Sequence, residues 1–418
     1  MPRVVLFEDD SVELLRPIVD LRPAFSVRCG ALSLLDRIRI FLRPSEIESA
    51  VREYLTGVAK ILGAPPAGDP DSPTLFVNAR LVPDRGLISR ISSLSEGEAM
   101  VSPSGDLISA LLPSSASREA LSSDNLGESV LKMCHKSAVV DAALLTYPWD
   151  VAPKSLRALA PDLRSLLREP SRRGLGDVRI LGRESDLMLS EEVSFEGPCL
   201  IDLRDGPVLL ETSVEVGAFS YLRGPLFVGR GSKILPGSRI SNSSIGPVCK
   251  VGGEVSDTIV LGYSNKAHHG YLGHSYVGEW VNVGAGTVTS DLKNTYGEVR
   301  KTIAGRRLGT GLIKVGAFLS DHVKTSINTS LYTGVSVGAA SHVHGFVTRD
   351  VPPFTIYAES VGYGVVELEI ESAIRTYRRM ASRRGVAPSP AVERAMRLFF
   401  ETTAEERRAA GVEKRKLK

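Results

Sequence analysis

Six of the seven histidines, His268, His269, His274, His322, His342 and His344, fall between residues 268 and 344. Imidazole titrates close to neutral pH, so such a cluster offers a base able to take the proton of an amine as that amine attacks a thioester carbonyl. Two other chemistries stand beside this one. A lone histidine is more often a structural hydrogen-bonding group, a reading that suits His274, His342 and His344. Three histidines from neighbouring subunits could instead hold zinc, as in a hydratase built on a coil. The run Tyr263-Ser264-Asn265-Lys266-Ala267-His268-His269-Gly270-Tyr271 carries the hydroxyls, amide and ammonium that a polyhydroxylated, phosphorylated substrate calls for.

What positions these residues is a six-residue period. Val216, Leu222, Val228, Ile234 and Ile240 are spaced by six, a five-residue step leads to Ile245 and Val251, and the spacing returns at Val277 and Val283 and at Val337 and Val343. Glycine follows the aliphatic position in Val216-Gly217, Val228-Gly229, Ile245-Gly246, Val277-Gly278, Val283-Gly284 and Val337-Gly338. Six matches neither strand alternation nor helical turns. It suits a triangular coil with one short strand per side, aliphatic side chains stacking inward and glycine supplying the corner angles. An ordinary β-sandwich would not hold so strict a spacing. The polar segment 289–314 breaks the period and reads as a loop leaving the coil, where function tends to sit.

The N-terminal part has an α/β pattern. Short apolar strands are expected at Val4 to Phe7 and Thr74 to Val77. A helix is expected over Ile47, Val51, Tyr54, Leu55, Val58, Ile61 and Leu62, with Ser45 and Glu48 as a capping box and Gly63 at its end, and another around 129–145. Beyond Pro352 and Pro353 the repeats stop. Helices are expected over 365–383 and 390–410, the second with Ser389 as cap, Pro390 in its first turn and Gly411 past its end.

With 418 residues the chain holds two or three domains, and 43% hydrophobic with 24% charged residues marks an ordinary globular composition. A net charge of +3 spread through the chain argues against nucleic acid as a partner. The basic end, Lys414, Arg415, Lys416 and Lys418, reads as a solvated tail. Four cysteines, Cys29, Cys134, Cys199 and Cys249, form no Cys-x-x-Cys pair and read as reduced thiols. No leader-like or bilayer-length apolar segment stands out, so a cytoplasmic location without a membrane partner is expected.

The stretch 246–300, GPVCKVGGEVSDTIVLGYSNKAHHGYLGHSYVGEWVNVGAGTVTSDLKNTYGEVR, resembles the acetyltransferase half of the bifunctional UDP-N-acetylglucosamine diphosphorylase/glucosamine-1-phosphate N-acetyltransferase family, in its shorter variant branch. The opening LFEDDSVELLRPIVDLRPAFSVRCGALSLLDRI and Tyr147-Pro148-Trp149-Asp150 are similar to the same branch. The resemblance implies an α/β nucleotidyltransferase-like domain over 1–185, a left-handed parallel β-helix over 186–358 and a helical extension over 359–418. It further implies a homotrimer that acetylates a sugar 1-phosphate with acetyl-CoA and then joins it to a nucleoside triphosphate with Mg2+.

By motif, the resemblance makes His268 the general base and sets Lys266 and Tyr271 against the sugar phosphate. Asn282 and the Gly284-Ala285-Gly286-Thr287 corner then line the groove beside it. Asn294 and Tyr296 match a substrate loop of the family, and Arg349 a cation for the coenzyme A phosphates. The first domain departs from the family pattern. It has Phe7-Glu8-Asp9-Asp10 where a glycine-rich phosphate loop is usual, and Phe76-Val77-Asn78-Ala79-Arg80 where a magnesium-binding Asp is common. Glu8, Asp9 and Asp10 could hold magnesium, and Arg16, Arg22 and Arg28 could hold phosphates, with Asn78 and Arg80 completing a nucleotide site. The metal ligands themselves stay unassigned. Acyl transfer alone with a nucleotide-sensing first domain, and a non-catalytic scaffold, are the remaining readings.

Overall fold

The structure, a computed structural model, describes residues 3–166, 175–303 and 305–416, so Lys418 of the basic end lies outside it. The chain forms two compact units. One comprises the residues up to Arg28, Leu32–Tyr147 and Ser389–Phe399; the other comprises Cys29–Ala31, Pro148–Pro388 and the residues from Phe400 on.

The first unit is Rossmann-like. Its six strands are β1 (Arg3–Phe7), β2 (Ile47–Ala50), β3 (Thr74–Asn78), β4 (Glu98–Val101), β5 (Leu107–Leu112) and β6 (Lys136–Val139), and they lie in the order β2-β1-β3-β5-β4-β6. β1 runs parallel to β2 and β3, while β5 is antiparallel to β3 and β4. Val5, Phe7, Phe76, Ala110 and Leu112 pack into one buried cluster.

Sheet pairing overrides two expected helices here. Instead of one helix from Ile47 to Leu62, the chain makes β2 and then a helix only over Thr56–Ile61, because Val4 to Phe7 register against Ile47 to Ala50. Glu48, expected as a cap partner, is buried and binds Arg3 instead. Gly63 ends the helix with φ of +83°, as its place predicted. The expected helix over 129–145 is likewise shorter, Leu126–Lys132, and is followed by β6 paired parallel with β4.

The second unit carries the β-helix, a parallel solenoid of about ten turns. Its ladder starts earlier than residue 186, at Val178–Leu181, which pairs with Cys199–Asp202. Aliphatic residues stack through successive turns as the period required. Leu222, Ile240, Val255 and Leu272 form one column, and Val228, Ile245, Val260, Val277, Leu319 and Val337 form another. All of them are buried in a single core.

The glycines beside them act differently from expectation. The left-handed corner angle falls two positions later and on other residue types as well: Val248, Tyr263, Trp280, His322, Ala340 and Phe354 all have φ between 55° and 65°. Glycine is instead needed for close approach between turns. A Cβ on Gly284 would lie 2.4 Å from the Ser326 carbonyl oxygen, and one on Gly246 would lie 2.7 Å from the Gly262 nitrogen.

The segment 289–314 leaves the coil and contains a hairpin of Arg300–Ile303 with Arg306–Gly309. Lys301 of that hairpin ties back to Asp350 and Ser336 with bonds of 2.6 and 3.0 Å. Beyond the coil, Gly364–Glu367 is a strand against Thr355–Ala358 rather than the start of a helix, and the helix proper is Ile370–Arg383. The last expected helix is split at Thr403 into Pro390–Thr402 and Ala404–Ala409.

Candidate active site

The KAHHGYLG run folds as one corner of the coil, between the short strands that carry Lys266 and Tyr271. Lys266 occupies an inward position, in register with Val251 below it, where neighbouring turns place aliphatic side chains. It is only 3% exposed, so it does not offer its ammonium to a substrate, contrary to the expectation for it. The long methylene stem fills the core position, and Nζ turns toward the corner, donating to the Gly252 and His268 carbonyls at 2.8 and 2.6 Å. Burial pushes its pKa down to about 8. His268 and His269 themselves are exposed.

Tyr271 follows on the next strand, Tyr271–Gly273, with its ring over Gly273, where a Cβ would lie 2.1 Å from the Tyr hydroxyl. Its hydroxyl donates to Asp291 Oδ2 at 2.8 Å and sits 3.2 Å from Ser256 Oγ. Burial, reinforced by Asp291, drives its pKa up to about 12, so the phenol remains a donor. His274 Nδ1 reaches the same Asp291 oxygen at 2.7 Å. Burial works against the charge on Asp291, but the bonds from His274 and Tyr271 outweigh it and hold the carboxyl below the usual range.

Asp257 lies on the other side of His274, 3.8 Å from Nε2, and takes a bond of 2.7 Å from Asn242. The sequence reading did not single out Asp291, Asp257 or Ser256. Asp291 stands in the period-breaking segment, and nothing in its spacing linked it to Tyr271.

Asn282 is exposed one turn along, in register with Asn265 and Lys324. Gly284, Ala285, Gly286 and Thr287 form the corner after it; Thr287 is buried against Thr325 with a 2.8 Å hydroxyl contact, and a Cβ on Gly286 would lie 3.5 Å from His269 Nε2. Lys266, His268, Tyr271, Asn282 and this corner therefore occupy consecutive turns. Asn294 and Tyr296 are exposed in the outer loop, Tyr296 to 74%, and share no hydrogen bond with Tyr271 in the structure's described contacts. Arg349 is exposed and engaged nearby, 3.4 Å from Glu359 and over the Tyr357 ring.

In the first unit, Asp9 and Asn78 meet at the carboxyl ends of β1 and β3, with Asn78 Nδ2 donating to Asp9 at 2.8 Å. Arg80, 1% exposed, grips Asp9 with two 2.7 Å bonds, one to each oxygen, and reaches Asp106 at 3.3 Å. Glu8 is held by Arg52, which sequence reasoning missed. Arg22 is buried, Arg28 half-buried, and Asp10 exposed at the start of a short 3-10 helix. Magnesium does not fit here: both oxygens of Asp9 already accept from a buried guanidinium, and Asn78 presents its donor side to that carboxylate. Arg80 and Asn78 serve as structural partners of Asp9 instead. Among the described residues, no three His, Cys, Asp or Glu side chains form a group that could hold a metal ion.

Fold and site together define a Rossmann-like α/β unit and a parallel β-helix with a hexapeptide period on one chain. Residues 4–170 match the family described as sugar nucleotidyl transferase. A bifunctional sugar-1-phosphate nucleotidylyltransferase/acetyltransferase of Sulfurisphaera tokodaii is 33% identical over 38% of this chain and 38% of its own length. A bifunctional protein GlmU of Rippkaea orientalis is 30% identical over 31% of this chain and 36% of its own. Both relatives bear the names of bifunctional enzymes, and the sugar nucleotidyl transferase match lies in the first unit's part of the chain. The chain matches little more than a third of the length of these relatives. Among solved structures, an Arabidopsis UDP-N-acetylglucosamine acyltransferase aligns with 55% of this chain and 96% of its own at 13% identity, with a TM-score of 0.24, too low to carry an argument.

Proposed function

We propose that the chain acetylates the amino group of a hexosamine 1-phosphate with acetyl-CoA, and that its first unit serves the transfer of a nucleotidyl group to the product. The observation that carries this reading is the KAHHGYLG corner, with an exposed His268 whose own carbonyl is pinned from inside the coil by Lys266. His268 takes a proton from the substrate amine as its nitrogen attacks the thioester carbonyl. The C–N bond forms, the C–S bond breaks, and the thiol leaves protonated. Tyr271, whose one O–H is given to Asp291, can accept from a sugar hydroxyl, and Asn282 and the 284–287 corner border the acceptor and the coenzyme. Lys266 acts as a positioning residue.

The nucleotidyl step rests on the family match of residues 4–170, and no part of it is routed through a metal at Asp9. Arg349 remains the candidate for the coenzyme A phosphates, with Asn294 and Tyr296 on the outer loop. A homotrimer is part of the proposal, supported by Val288 and Phe346, exposed at 39% and 57% and flanking Ser330 on one three-stranded face. So is a cytoplasmic setting, in line with Cys29, Cys134, Cys199 and Cys249 standing as thiols outside any disulfide. Among the described residues no helix is long and apolar enough to cross a membrane. The test is incubation with glucosamine 1-phosphate, acetyl-CoA and a panel of nucleoside triphosphates with magnesium, following thiol and pyrophosphate release separately. Thiol release that needs the amino sugar supports the reading, and its absence refutes it.

A further inference from the structure

A cavity of about 210 Å3 lies within the second unit, walled by Trp149, Ala152, Leu312 and Phe318 and with His274 and Lys314 as its polar members. An apolar cavity of about 150 Å3 suffices to take benzene, so this one has room for a six-membered ring and a substituent. His274 is not free to turn there. Asp291, an acceptor in its charged form, fixes Nδ1 as the donor of their 2.7 Å bond. The opposite nitrogen, Nε2, is 3.8 Å from Asp257, too far for a hydrogen bond. An imidazole held by a carboxylate, with its second nitrogen unsatisfied by Asp257, thus borders an apolar space.

We propose that this cavity binds a small ring-bearing alcohol, the ring against Trp149, Leu312 and Phe318 and the hydroxyl on His274 Nε2. A hydroxyl suits that position because it can donate to the nitrogen or accept from it. Apart from Lys314, the surrounding walls offer apolar contact to the rest of such a ligand. The inference is independent of acetyl transfer, which the preceding proposal places on His268.

Titration calorimetry of the full chain with phenol and with benzene tests it. Saturable binding of phenol is expected, and Ala152→Leu should abolish it by filling the space. His274→Phe should weaken phenol about tenfold, one hydrogen bond, and leave benzene nearly unchanged. Phenylalanine is a suitable replacement because Phe219 and Phe354 already occupy left-handed corners of this coil, as His274 does. Absence of saturable phenol binding overturns the proposal, and so does equal weakening of both ligands by His274→Phe. Should Ala152→Leu misfold by circular dichroism, the phenol-to-benzene ratio in His274→Phe decides.

Discussion

Lys266 donates a 2.6 Å hydrogen bond to the backbone carbonyl of His268 from inside the coil. A core position given to a lysine is costly unless its ammonium finds acceptors, and both acceptors here belong to the turns that shape the His268 corner. Replacing Lys266 by Met keeps the stem volume and removes the tether. The expected result is a folded protein whose kcat for acetyl transfer drops about a hundredfold while KM for acetyl-CoA changes little, the scale of a catalytic group displaced by about 1 Å. Steady-state kinetics on thiol release checks it, with an unchanged kcat as the contrary outcome.

The same burial sets a pH dependence. The folded state lowers Lys266 to about 8 and Lys324 to about 7, so it prefers their neutral forms, whereas an unfolded lysine stays charged to about pH 10.4. The penalty is complete below the folded values and disappears as pH rises to the unfolded one, so stability climbs from about pH 7 to about pH 10. Tyr271 acts in the other sense and later. Its folded value of about 12 exceeds the ordinary 10, so its contribution is present below pH 10 and lost toward pH 12. Denaturant midpoints should therefore peak near pH 10, and Lys266→Met should flatten the rising limb.

Much of the coil was legible because a six-residue spacing has one structural solution, and every aliphatic in it stacks where the spacing placed it. The first unit was less so. Ile47 to Leu62 carries helical periodicity, yet its first four residues pair with β1, since local pattern does not contain the partner strand. The site shows the same division. His268 and Tyr271 could be read from one motif, whereas Asp291, twenty residues from Tyr271, enters only through the fold.

Glycine 284 should resist substitution for reasons of space. Alanine there puts Cβ 2.4 Å from the Ser326 oxygen, so Gly284→Ala should cost about 2 kcal/mol in equilibrium unfolding. Gly262→Ala, whose Cβ meets the Pro247 ring only at 3.3 Å, should cost clearly less. Equal losses would show that turn spacing does not set the demand for glycine.

In the first unit, Arg80 and Asp9 form an ion pair with the guanidinium buried and the carboxylate 19% exposed. Arg80→Ala should destabilise the unit by about 2 kcal/mol, less than a fully buried pair because water still reaches Asp9. Magnesium should leave the unfolding midpoint of the unmodified protein unchanged; a rise would mean that Asp9 gives up Arg80 for the metal.

The most direct test of the account is acetyl transfer by His268→Ala, measured as thiol release from acetyl-CoA with glucosamine 1-phosphate. His268 is exposed, so the substitution should leave the unfolding midpoint in place while turnover falls about a thousandfold. Turnover close to that of the unmodified protein would contradict the assignment of His268 as the base.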